Sequence, residues 1–426
     1  MAVHILYPER GGGALNGARH APLPLDEALA ACASLAAALG DTEEIAAGSA
    51  VGRHLAAPVL SRANVPLLPC SAVDGYALRL RDLAGPGPWR LPVAGSVAAG
   101  SVPPPLRPGY AVGIASGAPV PQGATAILAG EEVTRLDALA HFSRCPMPSE
   151  NIRQAGEDLA AGDPVLRAGR CLGRRDVALA AAAGADLVTV RRKVRAALLV
   201  TGDGLLDPGD PPGPAGVTDV NGPMLRALMD RPDTALAAAE RTAGDPHGIR
   251  TALARLAGQA DLLVTTGGLS VGAGAGLRAA VEALGGTLHF AGVAMAPGGA
   301  VSLGMIEGAI WLGLPGSPLA AFAGWHLFGR AIVAGLQGRT ARMHKMVVSP
   351  VGEILREPGP AELRPARLVG YAPSGRALVS TDRATFPGRV RPLAESDGLL
   401  LIPAAARRLG PADLVEFLPF RDRGYA

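Results

Sequence analysis

The sequence predicts an α/β multidomain protein, with a central α/β domain built on a mainly parallel sheet, a helical segment carrying an inserted β domain, and a C-terminal β-barrel-like domain. Three short hydrophobic runs carry the central prediction. Residues 196–200, 262–264 and 310–312 each stop at a glycine-anchored loop. The loops read Thr201-Gly202-Asp203-Gly204, Gly267-Gly268-Leu269-Ser270-Val271-Gly272 and Leu314-Pro315-Gly316-Ser317-Pro318. Buried strands feeding Gly-rich turns that open helices are the repeating unit of a parallel sheet, whose carboxyl edge presents backbone N–H groups to a ligand. Three such loops within about one domain's length, on the order of 150 residues, point to one anion-binding crevice. On both sides of this stretch the pattern changes to short β-like runs broken by Gly and Pro, which is the second observation.

In chain order, residues 1–21 contain Gly11-Gly12-Gly13 and no apolar period, and read as a loose tail. Leu25, Ala28, Leu29, Cys32, Leu35, Ala36 and Leu39 then recur at helical spacing up to Gly40, which predicts a packing helix over 24–39. Residues 61–150 form the inserted β domain, with strands expected at 93–97, 110–114 and 126–128. Turn-rich text from 151 leads to a helix at 175–183, so 22–60 and 151–192 together make the helical domain. Arg191-Arg192-Lys193 reads as a solvated strand end. The α/β domain spans 193–338, with helices near 224–229, 248–256, 277–284 and 318–336. The Gly- and Pro-rich segment 208–216 reads as an expanded loop, with a mobile lid as the alternative. From 339 to 426, runs at 378–380, 399–402 and 414–418 make the terminal β domain.

Composition excludes several function classes. With 40 Lys plus Arg against 37 Asp plus Glu, the net charge of +3 supplies no basic field for nucleic acid. An aromatic fraction of 4% offers few base-stacking platforms. Cys32, Cys70, Cys145 and Cys171 form no Cys-x-x-Cys pair, so they read as buried or idle thiols. No secretory leader and no uninterrupted apolar stretch of about 18 residues is present, which predicts a cytoplasmic protein without a membrane partner.

Outside the α/β domain, Ser71-Ala72-Val73-Asp74-Gly75-Tyr76-Ala77 places a carboxylate in a turn, where it could hold a cation or simply shape an Asp-Gly turn. Residues Ile114-Ala115-Ser116-Gly117-Ala118-Pro119-Val120-Pro121-Gln122-Gly123-Ala124 form a stiff loop. Asn151-Ile152-Arg153-Gln154-Ala155-Gly156-Glu157-Asp158 gathers two acids and an Arg, as a site or as a surface turn.

Taken in order, these three motifs and the three glycine loops closely resemble the molybdopterin molybdenumtransferase family, which includes the E domain of gephyrin, over about residues 22–420. The resemblance implies an elongated homodimer that acts in the last step of molybdenum cofactor assembly. Such a protein binds adenylylated molybdopterin and molybdate and, with Mg²⁺, releases AMP as the metal enters the dithiolene. The site would lie between the α/β domain of one subunit and the β domain of the other. Carried over motif by motif, Asp74, Ser116 and Asp158 would face molybdate and the cation, with Asp74 and Asp158 as metal ligands. Thr201, Gly202, Asp203, Gly267, Gly268, Ser270, Gly272, Pro315, Gly316 and Ser317 would line the pterin and nucleotide crevice. Arg364 matches a basic catalytic position of the terminal domain. Partners implied are a molybdopterin adenylyltransferase or a client molybdoenzyme.

Departures from the family pattern fall on charged positions. Gly204 stands for a Glu, Ala273-Gly274-Ala275 for an acidic loop, and Ala296-Pro297-Gly298-Gly299-Ala300 for Lys-Pro-Gly-Lys-Pro. Ser317 replaces Asn, and Pro387-Gly388 replaces a Gly-Ser turn ahead of Ser396-Asp397-Gly398-Leu399. Asp207, Asp210 and Asp219 are the acids that could replace the one missing at Gly204. These losses leave open a catalytically weak paralogue that holds the pterin or finished cofactor as a carrier or scaffold.

Overall fold

The Leu262–Thr266 and Ala309–Leu314 strands are buried at every residue, as strands covered by helices on both faces must be. They lie at the centre of a six-stranded sheet in the computed structural model, which describes residues 21–211, 216–269, 275–340, 344–382 and 388–420. Its order is Thr234–Thr242, Val194–Thr201, Leu262–Thr266, Ala309–Leu314, Ser302–Ile306, Thr287–Ala291. The first four strands are parallel, and Ser302–Ile306 runs antiparallel to both its neighbours, Ala309–Leu314 and Thr287–Ala291. Period-two alternation sorts the side chains into two cores. Ala196, Leu198, Val200, Leu262, Val264, Ile310 and Leu312 face one way; Ala197, Leu199, Leu263 and Trp311 face the other.

Helices Pro246–Ala257 and Ala275–Ala283 cover the second face with Ile249, Leu253, Leu256, Leu277 and Val281. The first face receives Asn221–Met229 and the apolar helical stretch Pro318–Leu336. That stretch is long and apolar enough to cross a membrane, yet 78% of it is buried on the sheet, as in a core helix.

The first helix, Leu25–Leu35, also docks on this face rather than in a helical domain with 151–192. Ala28, Cys32 and Ala36 are buried against the Arg330–Leu336 helix, where Gly335 leaves room for Ala36. Burial pushes the Cys32 thiol up to about 12, so it is an inert core group. Small side chains on the apolar stripe, legible as a helix, are what admit this close packing.

The terminal domain closes on itself. Strands Ala361–Tyr371, Ala377–Thr381, Met346–Pro350, Val415–Pro419 and Gly398–Ile402 pair in that order, and the last pairs back to the first. Val348, Val379, Leu400, Ile402 and Phe417 fill the barrel, while Leu363, Leu399 and Leu418 point outward into the first α/β core. Met295–Ala296, from within 193–338, adds a parallel pairing to Ala361–Tyr371.

Residues Thr42–Val190 form a separate unit of nested strand pairs. Thr42–Ala46 pairs with Leu187–Arg191, Val59–Leu60 with Pro164–Leu166, and Cys70–Ser71 with Ile152–Arg153. Inside them sits a six-stranded sheet whose strands run between residues 75 and 142, the inserted β domain. The only α-helix among this unit's described residues is Arg174–Ala182, so the expected helical domain is mostly short strand pairs.

Arg192 is not a solvated strand end. Its guanidinium grips Asp261 at 2.6 and 3.0 Å and Asp41 at 2.8 Å. Burial raises the Asp261 carboxyl, but Arg192 and Arg195, with the Arg195 backbone N–H, outweigh it and hold it at about 2. A carboxyl depressed in the folded state stabilises it above the unfolded value and loses that contribution as pH falls towards about 2. The depression corresponds to on the order of 2 kcal/mol. We therefore expect Asp261→Asn to lower the unfolding free energy by about 3 kcal/mol at neutral pH. Denaturant titrations from pH 6 to 2.5 should then show a shallower acid decline in the variant than in the parent; parallel curves would refute the assignment.

Candidate functional site: the carboxyl edge of the sheet

Strand ends at Thr201, Thr266 and Leu314 are neighbours in the sheet, so the loops that follow them meet. Gly267 turns at φ 87° with its Cα pressed on the Thr201 carbonyl, where any Cβ would overlap the oxygen. Gly268, at φ 62°, would place a Cβ 2.8 Å from Thr201 Oγ1 and 3.1 Å from Leu277 Cδ1. A Cβ on Gly316 would lie 3.4 Å from the Gly267 Cα. Only glycine permits the approaches at 267 and 268, while a Cβ at 316 would make an ordinary contact. The result is a rim of main chain, and Gly316 is exposed along it.

Asn221, at the start of its helix, ties this rim together and was not singled out from sequence. Its Nδ2 donates to Thr266 Oγ1 at 3.0 Å and to the Gly316 carbonyl at 2.8 Å, while Thr266 Oγ1 donates to the Pro315 carbonyl at 2.9 Å. Both acceptors demand the amide nitrogen, so its Oδ1 is left buried without a hydrogen-bond partner. A buried acceptor in this state is costly until a donor reaches it. A polar residue opening a helix just after a Gly-rich loop was the available signal.

Asp203 is exposed and accepts from the Gly244 N–H at 2.9 Å, while the Gly202 N–H donates to the Thr242 carbonyl at 3.2 Å. Ser317 stands at the N-cap of the helix beginning at Pro318 and makes no side-chain capping bond. Thr201, Gly202, Asp203, Gly267, Gly268, Pro315, Gly316 and Ser317 thus gather at one edge. Ser270 and Gly272 lie outside the described residues, as do Ala273, Gly274 and Pro387.

None of the three candidate replacement acids is uncommitted. Asp207 pairs with Arg241 at 2.7 Å, Asp210 accepts from the Asp207 N–H at 2.9 Å, and Asp219 caps the Gly222 N–H at 2.8 Å. Gly204 sits at φ 67°, a conformation that a Glu would adopt only under strain.

In the other unit, Asp74 and Ser116 meet directly. Asp74 Oδ1 accepts from the Ser116 N–H at 2.8 Å, and Ser116 Oγ donates to the Ala72 carbonyl at 3.3 Å. The third motif joins them through the Ala72 N–H, which donates to the Asn151 carbonyl at 2.9 Å. Asp158 occupies a turn bonded to Val65 and is exposed; Arg153 and Glu157 beside it pair at 3.3 Å. Among the described residues no group of three or more His, Cys, Asp or Glu could hold a metal ion. Mg²⁺ characteristically takes one or two carboxylates and completes its shell with water and substrate oxygens, so the donor set fits only that mode. Arg364 is buried in the barrel and bound to Glu362 at 2.6 Å, with Arg356 Nε 3.7 Å from the same carboxylate.

Known proteins share this architecture. Residues 23–184 match the MoeA N-terminal region (domain I and II), and residues 197–335 match a probable molybdopterin binding domain. A molybdopterin molybdenumtransferase of Haemophilus influenzae is 33% identical over 303 residues, 70% of this chain and 74% of that protein. Molybdopterin molybdenumtransferase 2 of Mycobacterium tuberculosis is 32% identical over 372 residues, 83% of this chain and 89% of that one. The crystal structure of a molybdopterin biosynthesis MoeA protein from Pyrococcus horikoshii superposes with TM-score 0.79 at 26% identity, covering 94% of this chain and 100% of that one.

Replacing Asn221 with Ala removes two hydrogen bonds and leaves the Gly316 carbonyl without this donor. A loss of about 2 kcal/mol is expected, with faster amide exchange at 315–317 as the local readout; unchanged exchange there would show that Asn221 does not hold the rim.

Proposed function

The chain belongs to the molybdopterin molybdenumtransferase family, and we propose that it inserts molybdate into adenylylated molybdopterin with release of AMP, as a cytoplasmic homodimer. The observation that carries this reading is the junction of the Thr201, Gly267 and Gly316 loops, a main-chain rim at the carboxyl edge of a parallel sheet. Backbone N–H groups there suit phosphate, and their fixed geometry costs no reorganisation when charge shifts in the reaction. Asn221 Oδ1, buried and unpartnered, is an acceptor suited to an N–H of the pterin or an ordered water. Exposed Asp203 is held by Gly244 with one oxygen, leaving the other for the guest.

Asp74 and Asp158 would hold Mg²⁺, which when bound offsets the charge of the phosphates and molybdate. The Ser116 N–H fixes the Asp74 carboxylate, so its direction is set before any ligand arrives. Neither residue has a paired cation among its described hydrogen bonds, and both are exposed. Arg364 is bound to Glu362, which it shares with Arg356, so this barrel cluster keeps a net positive charge.

Purified protein given adenylylated molybdopterin, molybdate and Mg²⁺ is expected to release AMP, with the rate lowered about 10²-fold or more by Asp74→Ala and by Asp158→Ala. Pterin binding without AMP release would instead favour a carrier. Sedimentation at micromolar concentration checks the homodimer.

A further inference from the structure

The 296–300 loop has no charged side chain, yet one cation reaches it from the Ala275–Ala283 helix. Arg278 Nε donates to Ser302 Oγ at 3.2 Å, and its Nη2 lies 3.4 Å from the Ala300 carbonyl. Ser302 Oγ itself donates to the Ala300 carbonyl at 3.1 Å. Arg278 is half-buried, and no carboxylate pairs with it among the described residues. Burial alone acts on its acidity, drawing it down from the ordinary guanidinium value. Arg192, Arg241 and Arg255, on the same unit, each bind an acid. A desolvated cation without a counter-charge is a standing cost that an anion relieves.

Its position ties it to the crevice. Ser302 pairs with Gly313, immediately before the Leu314-Pro315-Gly316 turn, and Leu277 beside Arg278 lies under Gly268.

We propose that Arg278, its guanidinium oriented by the buried Ser302 hydroxyl and the Ala300 carbonyl, forms an oxyanion subsite of this crevice that takes a doubly charged tetrahedral anion, either molybdate or the phosphate of the pterin. Identifying the guest rests on the function proposed above; the subsite itself rests on the geometry. With the Nε–Nη2 edge engaged by Ser302 and Ala300, the Nη1–Nη2 end of the planar guanidinium suits two oxygens of such an anion, which a Lys would meet only as a point charge. Arg278 thereby supplies positive charge that the 296–300 loop does not.

Calorimetric titration of the full chain with sodium molybdate, and separately with molybdopterin, tests this in the parent, Arg278→Met and Arg278→Lys. Arg278→Met should weaken one of the two by at least tenfold and flatten its dependence on salt, and Arg278→Lys should recover part of the affinity. Loss confined to molybdate identifies the metal oxyanion, and loss confined to molybdopterin identifies the phosphate. Equal affinity of all three proteins for both ligands overturns the proposal, as does a loss with an unchanged salt slope, which would mark Arg278 as a structural prop. AMP release is assayed on the parent alone. If the parent releases none while molybdate binding depends on Arg278, the reaction fails and the subsite stands.

Discussion

The contact on which the site depends is the approach of the Gly267 backbone to the Thr201 carbonyl, a place with no room for a side chain. Parallel strands deliver their carboxyl ends to one edge, but each loop must still turn without colliding with its neighbour. Gly267 and Gly268 at positive φ accomplish that turn, and Gly316 closes on Gly267 from the next strand. A non-glycine residue in the left-handed region costs roughly 1–2 kcal/mol before any clash is counted. The clash with a backbone oxygen is worse, because neither atom is on a flexible side chain. Sheet order and loop composition are therefore linked at this point: the Thr201 and Thr266 strand ends come this close because Gly267 has no side chain.

That constraint is local enough to read in a sequence. Hydrophobic runs ending in glycine were sufficient for the three central strands, and the observed bounds extend the expected runs by a few residues at their ends. The barrel strands at Ala377–Thr381, Gly398–Ile402 and Val415–Pro419 were equally legible. What was not legible involves partners far apart in the chain. The Leu25–Leu35 helix shows its apolar stripe in sequence, but not that the stripe meets Arg330–Leu336. Arg192 looks like one of three solvated bases until Asp261 is placed beside it by strand pairing. Asn221 looks like a helix-opening polar residue, and only the fold brings Thr266 and Gly316 to its amide. In each case the residue type was visible and its partner was not.

The same distinction governs the charges. Arg364 occupies a recognisable position, yet Glu362, two residues before it on the same strand, holds its guanidinium and is shared with Arg356. Asp219 and Asp245 are spent on the N–H groups of Gly222 and Gly248, and one oxygen of Asp203 on that of Gly244. These bonds fix turns and helix starts around the edge of the sheet. A count of charged residues near a site therefore misstates its field, because a carboxylate engaged with backbone N–H groups presents less negative charge to a guest than an unengaged one.

This changes the meaning of the departures from the family pattern. Relative to that pattern, positive charge is lost at Ala296 and Gly299, and negative charge at Gly204 and in the 273–275 segment. Losses of both signs leave the sum nearer balance than either set alone. An anionic substrate would lose attraction from two side chains but also meet fewer carboxylates, and two unit charges about 4 Å apart near a protein surface interact by about 4 kcal/mol, so removing like charges matters as much as adding opposite ones. The main-chain rim is indifferent to such exchanges, since its shape belongs to glycine. A site built this way can redistribute its side-chain charges while its main-chain frame stays in place. Divergence at charged positions is thus compatible with retained binding so long as Gly267, Gly268 and Gly316 keep their geometry.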